Sequence, residues 1–224
     1  MSHDWRAIWA IVRKDIIAEL RAKETLSTML IFVLLAVVIF NFAFDLRVDN
    51  VRQVMPGVMW VAFVFAGVLG LNRSFILETD KGCLEGLLMT PVDRSVIYFG
   101  KMLGNLFFML IVEAIGLPAL SALFNLMLIR LDLILIVLLG TVGFAGVGTL
   151  FSAMTANTRA REVLLPILLF PVVLPAIVAA VKATAGVLDG LPLSELGRWL
   201  NLLLGFDVIF LTVSYMTFDY VTES

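Results

Sequence analysis

The chain has 224 residues, 61% of them hydrophobic and 15% charged, with a mean hydropathy of +1.05. A water-soluble globule of this size needs a polar outer shell that so apolar a composition cannot supply, so the chain is read as an integral membrane protein. A net charge of −2 leaves no basic footprint for nucleic acid; one cysteine, Cys83, forms no internal disulfide; and one histidine, His3, leaves no zinc cluster, proton relay or haem ligand inside the membrane.

The N-terminal stretch 1–24 is an element of its own. Trp5, Ile8, Trp9, Val12, Ile16 and Leu20 recur at three- and four-residue spacing, with Arg6, Arg13, Lys14, Glu19 and Arg21 mostly between them. This is the pattern of an amphipathic helix. It is read as lying in the cytoplasmic interface with its tryptophans at headgroup depth, the alternative being a solvated extension of the first span. A charged stretch running to Glu24 precedes the first apolar run, unlike the short basic start of a cleavable signal.

Six apolar runs then reach the ~20 residues needed to cross ~30 Å of hydrocarbon. They lie at 25–44, 54–72, 98–124, 131–154, 163–181 and 200–220. Lipid offers the backbone no hydrogen-bonding partner, so each is read as a helix. The fold class is an all-α polytopic membrane protein: a six-span domain over 25–220 and a short cytoplasmic tail at 221–224.

In the second span Ala62, Ala66 and Gly70 recur every four residues, a small-residue seam suited to close helix packing. The segment 74–97 follows. Leu77, Leu84, Leu87 and Leu88 share a helical face there, Glu78 and Glu85 lie close to it, and Pro91 ends it. A short surface helix of this kind can dock in a partner's groove, or merely connect two spans.

Two acids lie inside spans. Glu113 in the third is about 22 Å from the inner end, and Asp207 in the sixth is about 10 Å from the outer end, so both reach the outer third of the bilayer. A buried carboxylate in lipid is costly unless it faces protein or water. The pair either lines a polar path or meets another membrane subunit; otherwise both are protonated carboxyls hydrogen-bonded to neighbouring helices.

In the fourth span Thr141, Ala145 and Thr149 form a second seam beside Gly140, Gly143, Gly146 and Gly148. Pro166, Pro171 and Pro175 remove backbone donors from the fifth and are expected to bend it, as part of a gate or as a packing device. The segment 182–199, with Gly186, Gly190, Pro192 and Gly197, reads as too broken to span: an external loop, or a gate-like hairpin dipping into the outer leaflet.

Six spans put both termini on one side. That side holds eleven basic residues and the other five, so both termini are expected in the cytoplasm. No intramembrane histidine or recognisable aspartate pair supports hydrolysis. Gly100-Lys101 is followed by Met102 and lacks the upstream glycine of a phosphate-binding loop, so any ATP-driven work must come from another subunit.

At 78–101 the chain resembles the ABC-2 class of transporter permeases, through Glu78, Gly82, Leu84, Glu85, Leu87, Leu88, Pro91, Val92, Arg94, Gly100 and Lys101. Two flanking pieces, 40–44 (Phe-Asn-Phe-Ala-Phe) and 56–75, look like the CcmB family, haem exporter protein B. The resemblance implies a type V exporter-like permease in the bacterial inner membrane whose Glu78–Arg94 stretch receives the stroke of an ATPase. It implies a homodimer with two CcmA ATPases, associated with CcmC and CcmD and transiently with the haem chaperone CcmE. ATP would sit on the ATPase and haem on partner subunits, with no cofactor on this chain and no nucleic acid. Haem export and ATP-driven release of the haem-loaded chaperone are both compatible with it, and release is preferred. An ABC-2 exporter of lipid, polysaccharide or drug, and a structural membrane scaffold, are the alternatives.

Overall fold

The computed structural model describes residues 2–44, 51–74, 93–156, 158 and 160–221. Among them are seven helices and no strand: α1 (Ser2–Ala22), α2 (Glu24–Phe44), α3 (Val51–Ser74), α4 (Arg94–Phe124), α5 (Leu131–Thr155), α6 (Arg161–Leu188) and α7 (Gly197–Val221). The six from α2 onward are long and apolar enough to cross a bilayer. The chain is an all-α polytopic membrane protein.

α5 is the hub. It packs on α3, α4, α6 and α7, while α2 lies outside against α3 and α4, and α1 lies against α4. Its glycines make this possible, because each is a place where a neighbour fills the missing side chain. A Cβ at Gly140 would strike the Trp60 ring, one at Gly148 would strike Leu71, and one at Gly146 would meet Leu211 at 2.5 Å. Gly67 in α3 returns the favour, lying 2.5 Å from the Phe144 ring by the same measure. The small-residue seams are thus packing between helices of one chain. Gly70, for instance, receives the Met29 side chain of α2.

Each seam also carries a polar tie. Trp60 Nε1 donates to Thr184 Oγ1 at 3.0 Å, Asn105 Nδ2 to Thr149 Oγ1 at 2.9 Å, and the Ser152 hydroxyl to the Leu71 carbonyl at 2.6 Å. At the C-terminal ends of α2 and α4 Asn41 Nδ2 donates to the Leu123 carbonyl at 2.8 Å, joining the two helices. Such bonds are each worth about 0.6 kcal/mol in lipid, so their main effect is to set register.

α6 runs as one helix through Pro166, Pro171 and Pro175. It also runs seven residues beyond the apolar stretch read from the sequence, to Leu188, and α7 starts at Gly197. The segment 182–199 is therefore largely two helix ends around the turn 189–196. Ala183, Thr184 and Val187 are buried there, and Gly186 lies under Leu196. α6 stops by a Schellman arrangement: Gly190 has φ +85, Leu191 N–H donates to the Gly186 carbonyl at 2.9 Å, and Gly190 N–H to the Val187 carbonyl at 3.1 Å.

Candidate functional site

The residues read from the sequence as a coupling motif at 78–91, Glu78, Gly82, Leu84, Glu85, Leu87, Leu88 and Pro91, lie outside the described residues. What the structure does describe is the base on which that segment stands. α3 ends at Ser74 on one side of it, and Arg94 opens α4 on the other.

Lys101 closes this base. Its side chain is 2% exposed, its ammonium lies 3.0 Å from Asp15 Oδ2 of α1, and it donates to the Ser74 carbonyl at 3.3 Å. One cation therefore touches the end of α3, the start of α4 and the middle of α1. Gly100 and Gly104 let α1 come close enough. Gly100 faces Ile11, 2.8 Å from where a Cβ would stand, and Gly104 faces Asp15 at 3.5 Å by the same measure. The match of 11 with 100 and 15 with 104 keeps a four-residue step on both helices, so α1 runs alongside α4 for that turn.

Two further contacts tie α1 to α2 and α2 to α3. Glu19, buried, accepts the Leu26 N–H at 2.7 Å and so caps the start of α2. Arg73, one residue before the end of α3, pairs with Glu24 at 3.1 Å; both are exposed, so this pair adds little stability. A small apolar cluster of Ile11, Ile97, Tyr98, Met102, Leu150, Ala156 and Phe218 fills the space beneath. Tyr98 donates to the Gly146 carbonyl at 3.1 Å and stacks near Phe218, with ring centroids 5.3 Å apart. The start of α4 is thereby held by α1, α3, α5 and α7 together.

The stripe read on α1 is split by the fold. Val12 is buried with Ile11, while Trp5, Trp9 and Leu20 are exposed at 67%, 64% and 62%. Asp15 and Glu19 carry the contacts that hold the helix, and neither stood out in the sequence. Lys101 was visible there as the end of the motif and as a cation just inside an apolar run. Asn105, one turn further along, was an available signal that went unread.

The two intramembrane acids both meet α5. The Thr141 hydroxyl is 2.6 Å from Glu113 Oε1 and 2.8 Å from the Val137 carbonyl. A Cβ at Gly143 would overlap Asp207 Oδ1. Thr141 and Gly143 differ by about 3 Å along the helix axis and about 200° around it. The carboxyls thus share a depth but approach the hub from different sides. At 4% and 6% exposure they are packed groups within the chain. Neither Glu113 Oε2 nor Asp207 Oδ1 has a hydrogen-bond partner among the described residues.

Comparison with known proteins is consistent in direction. The family model described as "CcmB protein" matches residues 6–221. The chain is similar to a protein named heme exporter protein B from Pseudomonas aeruginosa, 27% identical over 185 residues that cover 80% of this chain and 81% of that one. It is 24% identical to proteins of the same name from Bradyrhizobium diazoefficiens, covering 82% of this chain and 83% of that one, and from Rhodobacter capsulatus, covering 81% and 84%.

Proposed function

The chain belongs to the CcmB protein family, and from that premise we propose that it is the permease subunit of an ABC transporter complex for cytochrome c maturation. It is a multi-pass protein of the bacterial inner membrane, with a role in haem-related transport. In this reading two copies pair with two CcmA ATPases. The segment containing Glu78, Gly82, Leu84, Glu85, Leu87, Leu88, Pro91 and Arg94 takes up the ATPase stroke, and the work goes to releasing the haem-loaded chaperone CcmE from CcmC. The chain itself hydrolyses nothing and binds neither ATP nor haem.

The observation that carries the reading is the Lys101 junction. A stroke delivered to a connecting segment does work only if both ends of the segment are seated on something stiff. Here one buried ammonium bridges Ser74 at the exit of α3, its own helix α4, and Asp15 of α1. A push on the segment is delivered to three helices at once, and α4 passes it to α5 through Tyr98 and Asn105. Haem as cargo is held by the partners in this scheme, because the chain's one histidine, His3, precedes the first membrane-crossing helix.

The test is ATPase activity and release of the haem chaperone in membranes holding the CcmA partner, comparing wild type with Leu84→Asp. Pull-down of the ATPase and membrane insertion are read on the same samples. Loss of association and release with normal insertion is the expected result. Retained association and release would reduce the segment to a connector and remove the proposal's mechanism.

A further inference from the structure

The first 24 residues carry five bases and four acids, so as a sequence they are nearly neutral. Folding sorts them. Asp15 turns inward to Lys101 at 3.0 Å, Glu19 is buried on the Leu26 N–H at 2.7 Å, and Glu24 is paired with Arg73 at 3.1 Å. The bases stay outside: Arg6, Arg13, Arg21 and Lys23 are exposed, as is Lys14, which pairs with Asp15 Oδ1 at 3.3 Å. At about 100° per residue, Arg6, Arg13 and Arg21 fall within one stripe about 80° wide. The exposed Trp5, Trp9 and Leu20 form the stripe beside it, and the side that docks on α4 lies beyond them. α1 therefore has three faces: protein, apolar and cationic.

We propose that the Arg6–Arg13–Arg21 face of α1 binds anionic phospholipid headgroups, with Trp5, Trp9 and Leu20 entering the adjoining edge of the hydrocarbon. One residue, Lys23, separates α1 from the membrane-crossing α2, which keeps this face at the bilayer surface. An acidic protein surface would match the arginines but leave two exposed indoles without cover. A bilayer leaflet containing acidic lipid supplies negative charge and apolar depth in one layer, side by side as the two stripes are. Because the third face of α1 holds Lys101, lipid bound there anchors the junction beneath segment 75–92. The inference holds whether or not that segment receives an ATPase.

The test uses the full chain in vesicles of phosphatidylcholine mixed with phosphatidylglycerol, with bromine on the acyl chains of one lipid or the other. Subtracting the signal of the W5F/W9F chain isolates the fluorescence of those two indoles. Brominated phosphatidylglycerol is expected to quench them more strongly than its share of the lipid accounts for. That excess should shrink with added salt, and should fall about fivefold for each arginine removed along the series R6Q, R6Q/R13Q and R6Q/R13Q/R21Q. R52Q/R198Q, which alters exposed-end arginines of other helices, should leave it unchanged. R6Q alone, near the free end of α1, serves if the triple variant fails to insert. Equal quenching by both lipids would mean an uncharged apolar contact and overturn the proposal. No quenching by either lipid, with the face left to water or to an acidic protein, would overturn it too.

Discussion

Lys101 is a charge placed where lipid and protein would each reject it alone, and Asp15 and the Ser74 carbonyl both compensate it. Replacing one member of a buried pair strands the other, typically at 3–5 kcal/mol, whereas removing both restores much of the loss. Lys101→Met still leaves Asp15 with Lys14, 3.3 Å from its Oδ1, so it is expected to lower stability by about 1–3 kcal/mol, and Asp15→Asn/Lys101→Met to recover part of it. Equilibrium unfolding of the reconstituted chain by a denaturing detergent measures both. If the double variant is no better than the single, the pairing is not what holds the junction. Glu113 offers a second residue-scale prediction. Thr141→Val removes the hydroxyl beside Glu113 Oε1 and leaves both carboxyl oxygens unsatisfied, at about 1–3 kcal/mol. Glu113→Gln keeps a polar partner for Thr141 and should cost less than half as much by the same assay. From sequence the position of both acids was legible, since a charge in an apolar run is conspicuous. Their partners were not, because Thr141 and Gly143 look like any small residues in a seam.

Among the elements, α1 and α6 show how periodicity informs and where it stops. The helical spacing on α1 was plain in the sequence, but it described one apolar stripe where the fold makes two uses of it. Trp5, Trp9 and Leu20 remain outside, while Val12 joins Ile11 against α4. Gly100→Leu is expected to unseat α1, since even a Cβ there would stand 2.8 Å from Ile11. Faster amide hydrogen exchange across residues 5–20, with α5 unchanged, would show it; unchanged exchange in α1 would argue that α1 is held elsewhere. α6 outlasted its apolar run because tertiary contacts outweigh composition. Lys182 and Gly186 weaken the local signal, yet Trp60 reaches Thr184 and Leu196 closes over Gly186. Its end depends on Gly190, whose φ of +85 costs an L side chain about 1–2 kcal/mol. Gly190→Ala should lower the midpoint of thermal unfolding in detergent, and Gly57→Ala, with nothing within 4 Å of its Cβ, should be close to neutral.

Across the whole molecule, α3, α4, α6 and α7 gather around α5 with α1 and α2 outside them, and the polar ties from α3, α4 and α6 run through a bundle whose outer faces are as apolar as its centre. Ile31, Leu35, Ile39 and Phe42 are exposed on α2, while Val33 and Val37 on the same helix are fully buried. Replacing Gly148 by Leu should collapse the hub, because Leu71 already occupies that space. Loss of the folded chain from membranes, seen as detergent-soluble yield, is the expected outcome, and a normal yield would mean α5 can move without cost.

The sequence by itself determined the solvent, the number of spans and the family motif, because each is written in local composition: a bilayer demands runs of about 20 apolar residues and makes charge within them rare. Which face of each helix turns inward was decided only by the tertiary structure. In water, hydrophobicity tells inside from outside, but in lipid both are greasy, so the signal that would orient a helix vanishes. What orients it instead is shape and pairing: Trp60 in the notch of Gly140, Leu71 in that of Gly148, and Asp15 drawn in by Lys101 while its neighbouring arginines stay out. Those choices depend on residues far apart in the chain, and only the folded bundle brings them within reach.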